Sequence, residues 1–283
     1  MIRRRFSSGE SEFNPDKYLT IEALEDGLSI TSAKVIYYRT IEGRWTSLLQ
    51  NVPSPQINKG ECLYIKAKWE DRYDFNVVFV ISKKCKLKGN CMSLFFGDLA
   101  DKNNDLSTYP YAFHRLFQYN TTILEVSPTF LPATTLAERC YEFMFDGCTS
   151  LVNAPVLPAT TLAPHCYDTM FRSCKSLTTA PELPATTLTS YCYCGMFAGC
   201  TGLTTAPALP ATTLTDYCYE HMFSRCSNLN YIKMLATNIS AHDCLYNWVS
   251  GVASTGTFVK NKNATWNVTG VNGVPSGWTI QKV

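Results

Sequence analysis

One hexapeptide, LPATTL, occurs four times in this chain, beginning at residues 131, 157, 183 and 209. Successive copies therefore begin 26 residues apart, and each is followed by a cysteine- and aromatic-rich stretch such as CYEFMFDGC at 140–148. A unit this short cannot bury its own apolar side chains. A fixed period of this kind therefore predicts units that stack and share one continuous core.

The residues within one unit suggest its local structure. Cys140, Met144, Phe145 and Cys148 follow the spacing i, i+4, i+5 and i+8, which predicts one face of a short helix. The preceding stretch, NAPVLP at 153–158 in the next unit, contains two prolines and predicts a short extended rung. We therefore expect a solenoid of short β rungs plus short helices with a 26-residue period. Stacking would place like residues over one another, and four phenylalanines would form one column: Phe145, Phe171, Phe197 and Phe223.

Most of the 13 cysteines recur at two positions of the repeat. We interpret them as structural ladders of small buried side chains, with disulfides along a column as the alternative. The columns are Cys140, Cys166, Cys192, Cys218 and Cys244, and Cys148, Cys174, Cys200 and Cys226. No CxxC pair occurs, and the four histidines do not recur at one repeat position, so we expect no metal and no cofactor.

The segments on either side of the repeats differ from them in residue composition and pattern. Residues 18–99 contain short segments rich in β-branched and aromatic residues between turn signals, which predicts a small all-β sandwich-like domain with a possible Cys85–Cys91 disulfide. The remaining predicted parts are a flexible tail at 1–17, a cap with a degenerate first repeat at 100–130, the repeats at 131–244, and a capping segment at 245–283. The tryptophans of that last segment either cap the stack or form a sugar-stacking platform: Trp248, Trp266 and Trp278.

Charge and motifs exclude several functional classes. A formal net charge of +2 without a basic stripe argues against nucleic acid. No apolar run approaches the roughly 18–20 residues of a membrane span, and no signal peptide is visible. No catalytic motif occurs, so we expect neither catalytic residues nor an enzyme.

Between the repeated framework positions, other positions change from unit to unit. They are candidates for ligand contact, although solvent-facing residues also vary without any function. The candidate residues are Asn153, Thr179, Thr205, Tyr231, His165, Tyr191, Tyr217, Glu220 and His221.

The repeat resembles the BspA-type leucine-rich repeats of surface proteins from Bacteroidetes such as Bacteroides. The residues that carry the resemblance are Met170, Phe171, Cys174, Leu177, Ala180, Pro181 and Leu183, with counterparts in the neighbouring units. The resemblance implies a leucine-rich-repeat solenoid and a non-catalytic binding or adhesion protein at the cell surface or outside the cell. Its partner would be a host protein, a glycan or a neighbouring cell. The alternative is a structural or receptor-binding component of a phage or mobile element, suggested by the start MIRRRF and the near-identical repeats.

Overall fold

The computed structural model describes residues 13–69 and 78–283. The predicted tail at 1–17 thus lies mostly outside the described residues. Within them, helical segments are confined to Pro15–Lys17, Ser93–Phe96 and Gly97–Lys102. The strands are β1 (Leu19–Ala23), β2 (Ile30–Ser32), β3 (Ile36–Arg39), β4 (Thr46–Leu48), β5 (Cys62–Lys66), β6 (Phe79–Ile81), β7 (Cys85–Lys88), β8 (Ile123–Val126), β9 (Tyr231–Met234), β10 (Thr257–Lys260) and β11 (Thr279–Lys282).

The largest sheet has six strands in the order β4-β3-β5-β1-β7-β8. Its central strand β1 is almost entirely buried, as expected for a strand with neighbours on both sides and residues such as Leu19, Ile21 and Ala23. Strand β8 comes from the degenerate first repeat and pairs in parallel with β7. The sheet therefore crosses the predicted boundary at residue 99, while β2 and β6 form a separate antiparallel pair.

The cysteine- and aromatic-rich part of each unit is a run of overlapping turns. The Met144 amide donates to the Tyr141 carbonyl three residues earlier, at 3.2 Å. The amides on either side of it donate to the following unit instead: Phe143 to the Asp168 carbonyl at 3.1 Å and Phe145 to the Met170 carbonyl at 3.0 Å. Backbone groups thus alternate between a local turn and a bond to the next unit.

This backbone places every fourth residue in the left-handed region. In one unit the φ angles are +55° at Arg139, +57° at Phe143 and +73° at Gly147. The next unit repeats the pattern, even at the β-branched Thr169, whose φ is +52°. Such angles cost free energy for residues other than glycine. The backbone hydrogen bonds between units offset this cost, so the left-handed conformation depends on stacking of the units.

The predicted fold class is wrong, both for the leucine-rich-repeat solenoid of short β rungs plus short helices and for the small all-β sandwich-like domain before it. The fully described segment 131–244 contains no helix and a single strand, β9. The described strands form several small sheets instead. The helix prediction failed because turns with a four-residue period repeat their apolar positions almost as a helix of 3.6 residues per turn does.

Like side chains nevertheless contact one another between units. The column of phenylalanine rings predicted from the sequence is confirmed: Phe145, Phe171, Phe197 and Phe223 follow one another with centroids 5.6–5.8 Å apart. A second column contains the fully buried rings of Tyr141, Tyr167, Tyr193 and Tyr219. One hydrophobic core extends from β1 to the C-terminal tryptophans.

The C-terminal segment closes this core. Strands β9, β10 and β11 form a parallel three-stranded sheet. The indole N–H groups donate to backbone carbonyls at 2.7–2.9 Å: Trp248 to Gly273, Trp266 to Ala236 and Trp278 to Ala253. Side chains held in this way favour capping over an exposed sugar-stacking platform. None of the described helices is long and apolar enough to cross a membrane.

Candidate ligand-binding face of the repeats

A row of stacked rings runs across successive units and is called the aromatic row below. His165 and Tyr191 stack at 4.4 Å with an interplanar angle of 8°, and Tyr191 and Tyr217 stack at 4.4 Å with an angle of 7°. His242 continues the row at 5.1 Å from Tyr217. Parallel rings cover one another's faces, so the row offers mainly ring edges, with their hydroxyl groups and imidazole nitrogens, to a ligand.

The local backbone explains the regularity of the aromatic row. His165, Tyr191 and Tyr217 all occupy the same turn position, with φ between +55° and +59°. Their amides donate to the carbonyls of the following unit, for example Tyr191 to Asp216 at 3.2 Å. Desolvation, followed by the neighbouring Tyr217 hydroxyl, raises the pKa of Tyr191. The turns thus hold the rings in register from unit to unit.

A second row, three residues further along each unit, carries ionisable groups and is called the acidic row below. Its members are Glu142, Asp168, Cys194 and Glu220. His165 Nδ1 lies 2.9 Å from Asp168 Oδ2, which joins the two rows. The Cys194 thiol lies 3.8 Å from Glu220 Oε2.

The acidic groups differ in how they are compensated. Burial tends to raise the pKa of Glu142, but His114 and Arg139 outweigh it, and the pKa is lowered. Arg139 Nη1 lies 2.7 Å from Glu142 Oε1, and His114 Nε2 lies 3.3 Å from Glu142 Oε2. Burial raises the pKa of Asp168 even though His165 opposes the shift. Burial also raises the pKa of the Cys194 thiol, and Asp168 and Glu220 add to that effect.

A buried ion pair connects units beside these rows. Asp146 is 1 % exposed and accepts hydrogen bonds from Arg172 Nε at 2.9 Å and Arg172 Nη2 at 2.8 Å. Gln118 Nε2 also donates to Asp146, at 2.8 Å. The three residues occupy one position of three successive units. Since the fourth unit has Ala198 there, this network links these three units and ends at the third.

The other predicted contact residues follow the extended part of the unit. Asn153 makes isolated parallel bridges with Glu125 and Thr179, and Thr205 makes one with Tyr231 at the start of β9. Asn153, Thr179 and Thr205 are exposed, and Tyr231 is half-buried. This row belongs to a different segment of the unit from the aromatic row.

The last two predicted contact residues, Glu220 and His221, are neighbours near the end of the acidic row. His221 Nε2 lies 3.8 Å from Glu220 Oε1, and the His221 ring meets Tyr246 edge-on at 5.5 Å. Of the acidic row, only Glu220 is among the contact residues predicted by name, whereas Glu142, Asp168 and Cys194 are not. Their signal was present, because one variable position of the repeat carries an ionisable side chain in all four units.

The cysteine ladders lie behind this face. All thirteen cysteines are free, and eleven are buried, while Cys62 and Cys194 are half-buried. One ladder links units through its thiols, since each sulfur donates to a phenylalanine carbonyl of the preceding unit at 3.0–3.2 Å. The ladder's donors are Cys148, Cys174, Cys200 and Cys226. Burial raises their pKa values, which disfavours the reactive thiolate.

The N-terminal part has a cleft of about 970 Å³. Its lining includes Trp45, Trp69, Lys66 and Asp98. Lys66 and Asp98 already pair with each other there, because Lys66 Nζ lies 2.7 Å from Asp98 Oδ1, and Lys66 Nζ also lies 4.4 Å from the centroid of the Trp45 ring. The repeat face is therefore the better candidate for a binding surface.

Comparison with protein-family models, curated protein sequences and solved structures found no match to this chain. The resemblance to BspA-type repeats accordingly stays a prediction from the repeat residues.

Proposed function

We propose that this protein is a non-catalytic binding protein whose aromatic row contacts a protein or glycan ligand. The observation that carries the proposal is the parallel stack of His165, Tyr191 and Tyr217 across three units. These side chains are half-buried, so ordering them on binding costs little conformational entropy.

The chemistry of the row suits recognition rather than catalysis. Tyrosine combines apolar area with a hydrogen-bonding group and is enriched where proteins bind one another. The carboxylates of Asp168 and Glu220 lie beside the rings and can accept hydrogen bonds from a ligand's amide or hydroxyl groups. Because the ring faces are covered, a sugar would bind through hydrogen bonds to the edges rather than by stacking.

Paired variants test the proposal. Tyr191→Asn with Tyr217→Asn removes the rings, and asparagine tolerates the left-handed backbone at both positions. The matched control is Thr186→Ala with Thr212→Ala, since these exposed threonines belong to the repeated framework. Binding is measured against immobilised mucin, fibronectin, collagen and a glycan array.

We expect at least one of these surfaces to bind the unmodified protein and the control equally. The tyrosine variant should bind it at least tenfold more weakly, as expected when central interface tyrosines are removed. The proposal fails if no surface binds, or if the tyrosine variant binds as well as the control.

We also propose that the protein acts at the cell surface or outside the cell, on the basis of its resemblance to surface-protein repeats. Localisation is tested by fractionating the producing cells and detecting the protein with an antibody to the chain. Detection in envelope or medium fractions is expected. Recovery in purified virions would instead support a component of a phage or mobile element.

A further inference from the structure

We propose that Glu142, His165 and Asp168 form a binding site for one divalent transition-metal ion, with zinc as the first candidate. Each residue offers one ligand atom, and the three atoms all lie within 4.8 Å of one another. Imidazole nitrogen and carboxylate oxygen are both donors that zinc takes in proteins. The site goes beyond the binding function proposed above and does not depend on it.

The donors come from two successive units. Glu142 belongs to one unit, and His165 and Asp168 belong to the next. The stacking of units, together with the turn that separates His165 from Asp168, brings the three groups together. We expected no metal from the sequence because no histidine recurs at one repeat position, but this site takes its donors from two different positions of the repeat.

Neighbouring groups hold the donors in place, as second-shell partners do at metal sites. The His165 ring is stacked on Tyr191 at 4.4 Å, so its orientation is restricted. Glu142 Oε1 is held by Arg139 Nη1 at 2.7 Å, and His114 Nε2 lies 3.3 Å from Oε2. The three ligand groups therefore need little reorganisation. The main change is that bonds to the ion replace the His165–Asp168 hydrogen bond.

The geometry and charge fit such an ion. With zinc bonds of about 2.0–2.2 Å, donors at tetrahedral corners lie about 3.4 Å apart. The His165 Nδ1–Asp168 Oδ2 pair, at 2.9 Å, needs to open by about 0.5 Å, and the other donor pairs, all within 4.8 Å, need to close by at most about 1.4 Å. Asp168 is half-buried, which leaves its carboxylate room to adjust while the stacked His165 ring stays in place. Two carboxylates supply two negative charges beside a divalent cation, although Arg139 already neutralises part of the charge of Glu142, and the fourth position remains for water.

The experiment measures binding of zinc alone by calorimetry and by equilibrium dialysis with metal analysis. The background is the full chain with Cys62→Ser and Cys194→Ser, so that the two half-buried thiols cannot bind the ion. His165→Phe keeps a ring against Tyr191 but removes the donor nitrogen, and Asp168→Asn removes a carboxylate. Glu138→Gln is the matched control, because Glu138 is an exposed carboxylate beside Arg139 but lies outside the three donors.

We expect one zinc ion per chain with micromolar or tighter affinity. His165→Phe and Asp168→Asn should each weaken binding at least tenfold, and Glu138→Gln should change it less than twofold. Circular dichroism checks that the variants fold. If His165→Phe does not fold, cobalt is added to the background protein, and a paramagnetically shifted imidazole resonance from His165 is the expected result.

Three results would overturn the proposal. The first is the absence of saturable one-to-one zinc binding. The second is equal affinity in the background protein and in folded Asp168→Asn. The third is a cobalt complex in which the His165 resonances do not shift.

Discussion

The phenylalanine column predicts a large and local effect on stability. Phe171 is completely buried, with Phe145 at 5.6 Å and 1° on one side and Phe197 at 5.8 Å and 6° on the other. Phe171→Ala removes the ring and leaves a cavity between two rigid neighbours. Because those neighbours are held by backbone bonds to adjacent units, they cannot close the cavity.

The expected loss in the free energy of unfolding is about 3–5 kcal/mol, the usual cost of truncating a buried phenylalanine. The two ring contacts supply about 1–3 kcal/mol of it, at roughly 0.5–1.5 kcal/mol per contact. Phe171→Leu keeps much of the volume but loses both ring contacts, so it should cost about 1–3 kcal/mol, less than Phe171→Ala. Tyr246→Ala, at an exposed ring, is the control and should cost less than about 1 kcal/mol.

The assay is urea unfolding followed by circular dichroism, with the slope of the free energy against urea checked for each variant. A loss for Phe171→Ala no larger than that for Tyr246→Ala would refute the reasoning. It would mean that the phenylalanine rings do not form a closely packed column.

Three further predictions concern the ion pair and the thiols. Arg172→Met leaves the buried Asp146 carboxylate without its arginine partner. The free energy of unfolding in urea should fall by about 2–3 kcal/mol, a moderate loss because the arginine is itself part-exposed. Arg172→Met with Asp146→Asn should recover part of that loss, and no recovery would contradict the pairing. Burial raises the pKa of Cys244 to about 11 and of Cys226 to about 12, above the unfolded value of about 8.5. Above that value the unfolded chain loses thiol protons that the folded chain keeps, so stability should be constant below about pH 8 and should fall as the pH rises towards 11–12. Urea titrations at pH 7 and pH 10 check this, and equal stability at both would oppose it. In reduced native protein at pH 8, iodoacetamide should label at most the two half-buried thiols, and mass spectrometry after digestion should find thirteen labelled sites only when the label is added in denaturant.

The sequence by itself determined which residues are repeated and therefore which side chains meet. Identical units 26 residues apart can bury their apolar groups only against one another. The column containing Phe145 and Phe171 follows from that requirement alone. The same reasoning selected His165, Tyr191 and Tyr217, because variable positions of a repeat face outward more often than inward.

Only the tertiary structure determined the backbone conformation of each unit and the contacts between different residue types in neighbouring units. The spacing of Cys140 and Met144 suits both a helix and a run of four-residue turns, and the bonds between units select the turns because half of the backbone amides donate there. In the same way, Glu142 meets Asp168 across a unit boundary. Their approach depends on the left-handed turns that direct each side chain, and these angles are tolerated only in the stacked chain.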